Sequence, residues 1–242
     1  MLKTVFCITE YGHRDATQKM VNSIVCRESW PPIFVGNDSY PDKLPSIILG
    51  AVVFDYENNL GYSANMNRLV KDALKTLSIP IEEIVLFACN NDIEFTKGSI
   101  GELSSFACFN NCIVGPTIVT PKEILNPDGH GINPQFMSED VVATRPMQVE
   151  ELTMICGACM VMPARIWISV GGFDEDYRIY FGDDQFCIDA SRLGYKSFYN
   201  PRAVIYHHTG LTEGINHDAI EKARKRFEEK NPGRKADGSG RY

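Results

Sequence analysis

Short, nearly unbroken apolar runs alternate with stretches of helical periodicity along most of the chain. Thr4 to Ile8, Pro32 to Val35, Ala51 to Phe54 and Ile84 to Ala88 have the length and composition of buried parallel strands. A helical stretch near Ala16 to Cys26 separates the first two. Between the third and fourth, Met66, Leu69, Val70, Ala73, Leu74 and Leu77 recur at the spacing of one buried helical face, and Pro80 closes that segment. A helix over Lys97 to Ala107 and a strand over Cys112 to Val114 continue the alternation. Strands alternating with helices imply right-handed βαβ crossovers. The expected fold is therefore α/β: a Rossmann-type, mostly parallel central sheet flanked by helices, in a single domain.

The pattern fails from Thr120 to Met147, where Pro121, Pro127, Gly129, Gly131, Pro134 and Pro146 punctuate a run of little periodicity. A connection of that length is usually functional, and Asn126 to Pro134 is a candidate lid or acceptor-side element. Regular structure resumes at Met154 to Met162. It continues with a helix over Asp183 to Leu193, strands over Lys196 to Tyr199 and Ala203 to Tyr206, and a charged helix over Asp218 to Lys230. The domain is expected to span residues 1–230. The Gly-rich, polar segment 231–242 reads as a flexible tail. No internal repeat and no linker interrupts the chain.

Composition narrows the function classes. Of 242 residues, 44% are hydrophobic and 23% charged, which is ordinary for a globular protein. A formal net charge of −7 argues against a broad nucleic-acid surface. No apolar run approaches the ~20 residues that span a bilayer, and the apolar start of the chain reads as a first strand rather than a secretory signal. The expectation is a soluble, cytoplasmic protein. Cys156 and Cys159 have CxxC spacing, with Cys108 and Cys112 as conceivable partners in a zinc site. Their apolar surroundings favour buried structural thiols, which an intracellular chain keeps reduced.

Two acidic clusters carry candidate chemistry. The fourth strand runs straight into Asn90-Asn91-Asp92, and open α/β sheets bind ligands at strand carboxyl ends. Asp92 offers a hard oxygen to a divalent metal, which can in turn hold a diphosphate. Far downstream, Asp183-Asp184 follows Gly171-Gly172-Phe173-Asp174. We read these clusters as a metal site and a general base meeting in one pocket. Each has a plainer reading: a strand-end turn for Asn90 to Asp92, a helix cap for Asp183, a surface pair for His207-His208 and simple turns at the glycines.

The order of motifs resembles the family-2 type of nucleotide-sugar glycosyltransferases, which have the GT-A fold. Asn59-Leu60-Gly61-Tyr62 with Asn67 is similar to the family's N-x-G-[FY]…N segment, and Asn90-Asn91-Asp92 stands where the family has D-x-D or N-x-D. Gly157-Ala158 followed by Val170-Gly171-Gly172-Phe173-Asp174-Glu175 resembles its G-A…V-G-G-F-D-E stretch. Asp183-Asp184 stands at its Glu-Asp, and Pro201-Arg202-Ala203 with His207 resembles its P-x-A-x-x-x-H. The chain departs from the family at Phe186 and Ala190, where an Asp and an Arg are common. Gly36-Asn37-Asp38-Ser39 matches the family's D-x-x-S only loosely.

The resemblance implies a divalent-metal-dependent, inverting transfer of a sugar from a nucleotide diphosphate to an acceptor hydroxyl. Residues 1–115 would form the nucleotide-sugar-binding half and residues 150–210 the acceptor and catalytic half. Asp92 would hold Mn²⁺ or Mg²⁺, with His207 as a second ligand better suited to Mn²⁺. Asp184 would be the general base, with Asp183 beside it to raise its proton affinity. The donor would lie along Thr9, Glu10, Tyr11, Asn37, Asp38, Asn59, Gly61, Asn67, Asn90 and Asn91, with Tyr11 available to stack on a base. Gly171, Gly172, Phe173 and Asp174 would form the acceptor side. A UDP-sugar is the donor most often met in such enzymes, GDP and TDP being open. The acceptor is a glycan, a lipid-linked or small molecule, or a hydroxylated base of nucleic acid. A catalytically inactive GT-A-like binding module is the alternative outside enzymes. A nucleotidyltransferase is disfavoured because the chain lacks an early Gly-rich, basic phosphate loop.

Overall fold

The structure is a computed structural model and describes residues 2–27, 30–38, 47–120, 134–139, 142–145, 147–208 and 217–234. In chain order the elements are β1 (Lys3–Glu10), α1 (Arg14–Val25), β2 (Ile33–Asn37), β3 (Val52–Asp55), α2 (Tyr62–Thr76), β4 (Ile84–Asn90), β5 (Ile93–Phe95) and α3 (Ser99–Asn110). They continue with β6 (Ile113–Val119), β7 (Phe136–Met137), β8 (Glu150–Leu152), β9 (Cys159–Pro163), α4 (Ala164–Val170), α5 (Gly182–Arg192), β10 (Ser197–His207) and α6 (His217–Lys230).

One sheet takes all the strands described, in the order β3-β2-β1-β4-β9-β6-β10-β5, with β7 beside β6 and β8 beside β10. The first four run parallel, as the apolar runs predict. Strand β9 then enters antiparallel to both β4 and β6, and β10 pairs antiparallel with β5. Strands β10 and β7 both run parallel to β6, so parallel pairs lie in both expected halves and the sheet continues unbroken from one into the other.

Strand periodicity divides the core in two. On one face Val5, Cys7, Leu86, Ala88, Met160 and Met162 meet α2 through Met66, Leu69, Val70 and Ala73, together with Trp167 of α4 and Phe186 of α5. On the other face Phe6, Ile8, Val85, Phe87, Cys89 and Val161 meet Met20, Val21 and Ile24 of α1 and Ile100 and Leu103 of α3. Neighbours along each strand point to opposite faces, so an unbroken apolar run serves two helical layers at once.

Two expectations need amendment. The two strands foreseen near the carboxyl end are one, β10, whose register against β6 shifts between Asn200 and Val204. Pro201 lies in that irregular stretch and has no N–H to donate, which suits a bulge. The presumed tail begins inside the fold. Asn231 is buried, donates to Gln185 Oε1 at 2.8 Å and accepts from Arg192 Nη2 at 2.9 Å. Residues 235–242 lie outside the described residues, as do Ser39 and positions 126–133 of the candidate lid. All eight cysteines are free thiols. Cys159 faces Cys89 of the neighbouring strand, Sγ to Sγ 3.9 Å, rather than Cys156. No helix among the described residues is long and apolar enough to cross a membrane.

Candidate active site

The carboxyl ends of β1, β2 and β4 border one cleft of about 560 Å³. Thr9, Glu10, Tyr11, Asp38, Asn59, Gly61, Asn90, Asn91, Asp92, Asp183 and His207 all line it. They come from six separate stretches of chain, brought together by the parallel strands and by the return of β10 to the sheet.

Asp92 and His207 meet because β5 and β10 pair. Ile93 is the partner of His207 in that antiparallel register, and His208 N donates to Asp92 O at 2.8 Å. The turn carrying Asp92 is also tied to α1, where Asn91 Nδ2 donates to Thr17 Oγ1 at 2.9 Å. His207 Nε2 lies 3.1 Å from Asp92 Oδ1, and both side chains are largely buried. Asp92 Oδ1 and His207 Nδ1 nevertheless make no hydrogen bond among the described residues. Buried polar atoms are ordinarily paired. Asp92 Oδ1 faces His207 Nε2 alone among the described residues, and a carboxylate oxygen and an imidazole nitrogen so placed are donor types that a divalent cation takes. No group of three or more His, Cys, Asp or Glu suited to a metal forms among the described residues. Two protein ligands still fit a cation such as Mg²⁺, which keeps substrate phosphates and waters as its other ligands.

The second acidic centre is built differently. Asp183 and Asp184 occupy the first turn of α5, where unpaired N–H groups favour negative charge. Gly157 N donates to Asp183 Oδ2 at 2.6 Å. Burial pushes the Asp183 carboxyl up, against hydrogen bonds from the Gly157, Asp184 and Asp183 backbone that favour its charged form. Burial and then the adjacent Asp183 charge push Asp184 well above the usual carboxylate range. The pair thus favours charge on Asp183 and a proton on Asp184. Asp183 lines the cleft and Asp184 is absent from the lining. A Cβ at Gly157 would stand 2.9 Å from Asp183 Oδ2, so glycine is what lets the carboxylate approach this backbone.

Six expected site residues stand behind the cleft and brace its walls. Asn37 Nδ2 donates to Asp55 Oδ1 at 2.7 Å. Asn67 grips the backbone of Phe173 in both directions at 2.8 Å, accepting from its N–H and donating to its carbonyl. Gly171 ends α4 at φ 92°, and Gly172, at φ 83°, packs so close to Asn67 that a Cβ would lie 2.4 Å from Oδ1. Phe173 is buried against Trp167 and Phe186. Asp174 pairs with Lys230 at 2.8 Å. Phe186 and Ala190, the two departures from the family pattern, are buried in the core and are likewise absent from the lining.

The lining also includes residues to which sequence reasoning gave no role. Tyr62 donates a hydrogen bond from its hydroxyl to Gly157 O at 2.8 Å. Asn65 donates to Gly36 O at 3.1 Å, while its Oδ1 is buried without a partner among the described residues. His13, Cys156, Arg178, Ile179 and Tyr180 complete this group. Tyr62 and Gly157 stand inside the motifs quoted above. Arg178 and Tyr180 sit in an irregular segment before α5 and carry no periodic signal. At the carboxyl end of β2, Asp38 forms an ion pair with Arg68, whose guanidinium lies 3.8 Å above the Tyr56 ring. Burial raises the Asp38 carboxyl, and Arg68 opposes that rise.

Comparison with protein-family models finds no match. Among curated proteins, an uncharacterized protein, y4gI of Sinorhizobium fredii (strain NBRC 101917 / NGR234), is 29% identical over 79 residues, which is 32% of this chain and 8% of that protein. Among solved structures, the crystal structure of GalNAc-T7 with UDP, GalNAc and Mn²⁺ superimposes with a TM-score of 0.71 at 14% identity. That match covers 95% of this chain and 48% of GalNAc-T7, so the chain spans about half the length of that neighbour. GalNAc-T7 has the GT-A fold, and the likeness shows a GT-A-like fold for this chain: a central sheet flanked by helices in a single α/β domain.

Proposed function

We propose that the protein is a glycosyltransferase, moving a sugar from a nucleotide diphosphate to an acceptor hydroxyl. The observation that carries this reading is the meeting of Asp92, His207 and Asp183 on one cleft at the strand carboxyl ends, in a GT-A-like fold. The presence of UDP and Mn²⁺ in GalNAc-T7 supports a uridine diphosphate sugar as donor here. In this reading the nucleoside lies along Thr9 to Tyr11 and Asp38, and the diphosphate lies toward Asp92.

Asp92 and His207 would hold the metal, and a carboxylate with an imidazole suits Mn²⁺ better than Mg²⁺. When bound, that ion supplies positive charge to the departing diphosphate. The chain's own residues supply the rest. The cleft orients the acceptor hydroxyl beside the Asp183–Asp184 pair. As the hydroxyl oxygen bonds to the anomeric carbon, the bond from that carbon to phosphate breaks and the hydroxyl proton passes to the pair. Asp183, the charged member and the one on the lining, takes that proton, while Asp184 keeps the proton that burial and the Asp183 charge already hold on it. Direct attack of this kind inverts the anomeric centre. The acceptor carries a free hydroxyl on a glycan, a lipid-linked sugar or a small molecule.

The test is a thermal-shift screen of UDP, GDP and TDP with and without Mn²⁺, followed by release of nucleotide from the matching sugar donors. A ligand that binds only the folded state raises the melting temperature. A metal-dependent rise with one nucleotide, and release of that nucleotide from its sugar, is expected. No rise and no release with any of them would remove the reading.

A further inference from the structure

The charges of the cleft are unbalanced. Glu10, Asp38, Asp92 and Asp183 bring carboxylates to its lining, whereas Arg178 is the one Arg or Lys side chain there among the described residues. Arg68 lies outside the lining and is engaged by Asp38. Arg178 instead donates to neutral oxygens of Asn59, the carbonyl at 3.0 Å and Oδ1 at 3.4 Å, and its side chain is exposed. An anion entering the cleft can take such bonds over at small cost, because a guanidinium binds phosphate more strongly than a neutral amide oxygen.

The position of Arg178 is enforced from two sides. In front, Asn59 Oδ1 accepts from Gly61 N at 2.9 Å, and Gly61 turns at φ 90°. A Cβ at Gly61 would lie 2.2 Å from Arg178 Cγ and 2.5 Å from its carbonyl oxygen. Behind, α6 holds the segment that carries Arg178. Arg226 pairs with Asp176, and the Phe227 ring lies 5.5 Å from that of Phe181, a bulky residue at φ 67°. The N-x-G motif thus seats an arginine more than a hundred residues away.

We propose that Arg178 is the diphosphate-binding cation of this cleft, seated by the Asn59–Gly61 turn and backed by α6; the inference rests on the nucleotide-diphosphate reading above. On binding, its guanidinium exchanges the Asn59 oxygens for phosphate oxygens and supplies charge that the acidic lining lacks.

Competition titrations with UDP, GDP and TDP in Mn²⁺, each beside its parent nucleoside, test it. Arg178→Ala should weaken the cognate diphosphate by about 10–100-fold, the value of a charge-assisted hydrogen bond or two. It should leave the nucleoside and the melting temperature of the free protein unchanged. Arg178→Lys should recover part of the loss, keeping the charge and losing the fork. Unchanged diphosphate binding, or equal weakening of nucleoside and diphosphate, overturns the inference and leaves the glycosyltransferase reading standing. Failure of the wild-type protein to bind any of the three diphosphates removes both.

Discussion

The two acidic centres of the cleft are built on opposite principles. Asp92, in the turn just before β5, and His207, at the end of the antiparallel β10, lie 3.1 Å apart and carry buried atoms without hydrogen bonds among the described residues. Asp183 and Asp184 come from one helical turn; Asp183 is anchored by Gly157 N, and Asp184 is pushed toward its neutral form. An unsatisfied carboxylate beside an imidazole is arranged to receive a cation. A desolvated carboxyl beside a fixed negative charge is arranged to hold a proton. Acidic and basic side chains around one cleft can therefore serve separate tasks, because the backbone decides which of them is already satisfied.

The largest expected effect separates the tasks directly. Asp183→Asn should cut turnover by about 10²–10⁴-fold, the range of a lost general base. Binding of a nucleotide diphosphate in Mn²⁺ should stay within error of wild type. Asp184→Asn, measured alongside, keeps a neutral side chain beside Asp183 and should cost far less. Near-normal turnover in the Asp183 variant takes that residue out of the proton-transfer role.

Asp92→Ala should act on the other centre. We expect metal-dependent nucleotide binding to fall by about 10–100-fold, the range found when support for a bound metal is removed. The dependence of nucleotide affinity on Mn²⁺ should flatten. A titration curve superimposable on wild type would show that the pairing of β5 with β10 places Asp92 beside His207 for structural reasons alone.

These two centres were unequally legible. Asp183 and Asp184 are adjacent in sequence at a helix start, where local pattern suffices. Asp92 and His207 meet only through β5, three residues long, and β10, and a strand so short leaves no periodic trace. Their proximity was expected from family resemblance, not from the hydrophobic pattern. The amino-terminal sheet was clear because four apolar runs and the face of α2 are long and regular. The antiparallel entry of β9 was not, since an apolar run carries no mark of its direction. Asn67 illustrates a third limit. A helix-borne asparagine near strand ends suggests a ligand contact, and only coordinates reveal that its amide grips the Phe173 backbone. Arg178 was invisible for the plainest reason: one arginine in an irregular loop looks like any solvated charge.

A smaller perturbation sharpens the contrast without removing any acid. In Gly157→Ala the new methyl would press on the Asp183 carboxylate, whose Oδ2 lies 2.9 Å from the Cβ position. Either the helix start or the side chain must shift by a fraction of an ångström. Misplacement on that scale should lower turnover by about 10-fold, well short of the loss from Asp183→Asn. The Mn²⁺ titration should be unaffected. Equal loss in turnover and in metal response would mean that the two centres move as one body and that their tasks are not separable.

The smallest expected effect is on stability, and its sign follows from the raised carboxyls. Asp183 and Asp184 hold their protons more tightly folded than unfolded. Below the ordinary carboxylate range both states are protonated, and the pair costs nothing. As the pH rises through that range the unfolded chain ionises first, so it binds fewer protons than the native state and stability falls. The fall ends only once the pH passes the raised folded values. Asp184→Asn cannot ionise and should lose much of that slope. It should therefore melt higher than wild type near neutral pH, with about 2–4 °C expected for each kcal/mol relieved in a chain of this size. The advantage should shrink to nothing as the pH approaches 4, the usual carboxylate value. Melting curves of the two proteins across that interval decide the matter. Parallel curves would mean that Asp184 is no harder to ionise in the fold than in water, and the proton-holding half of the comparison would then be lost while the cation-receiving half remained.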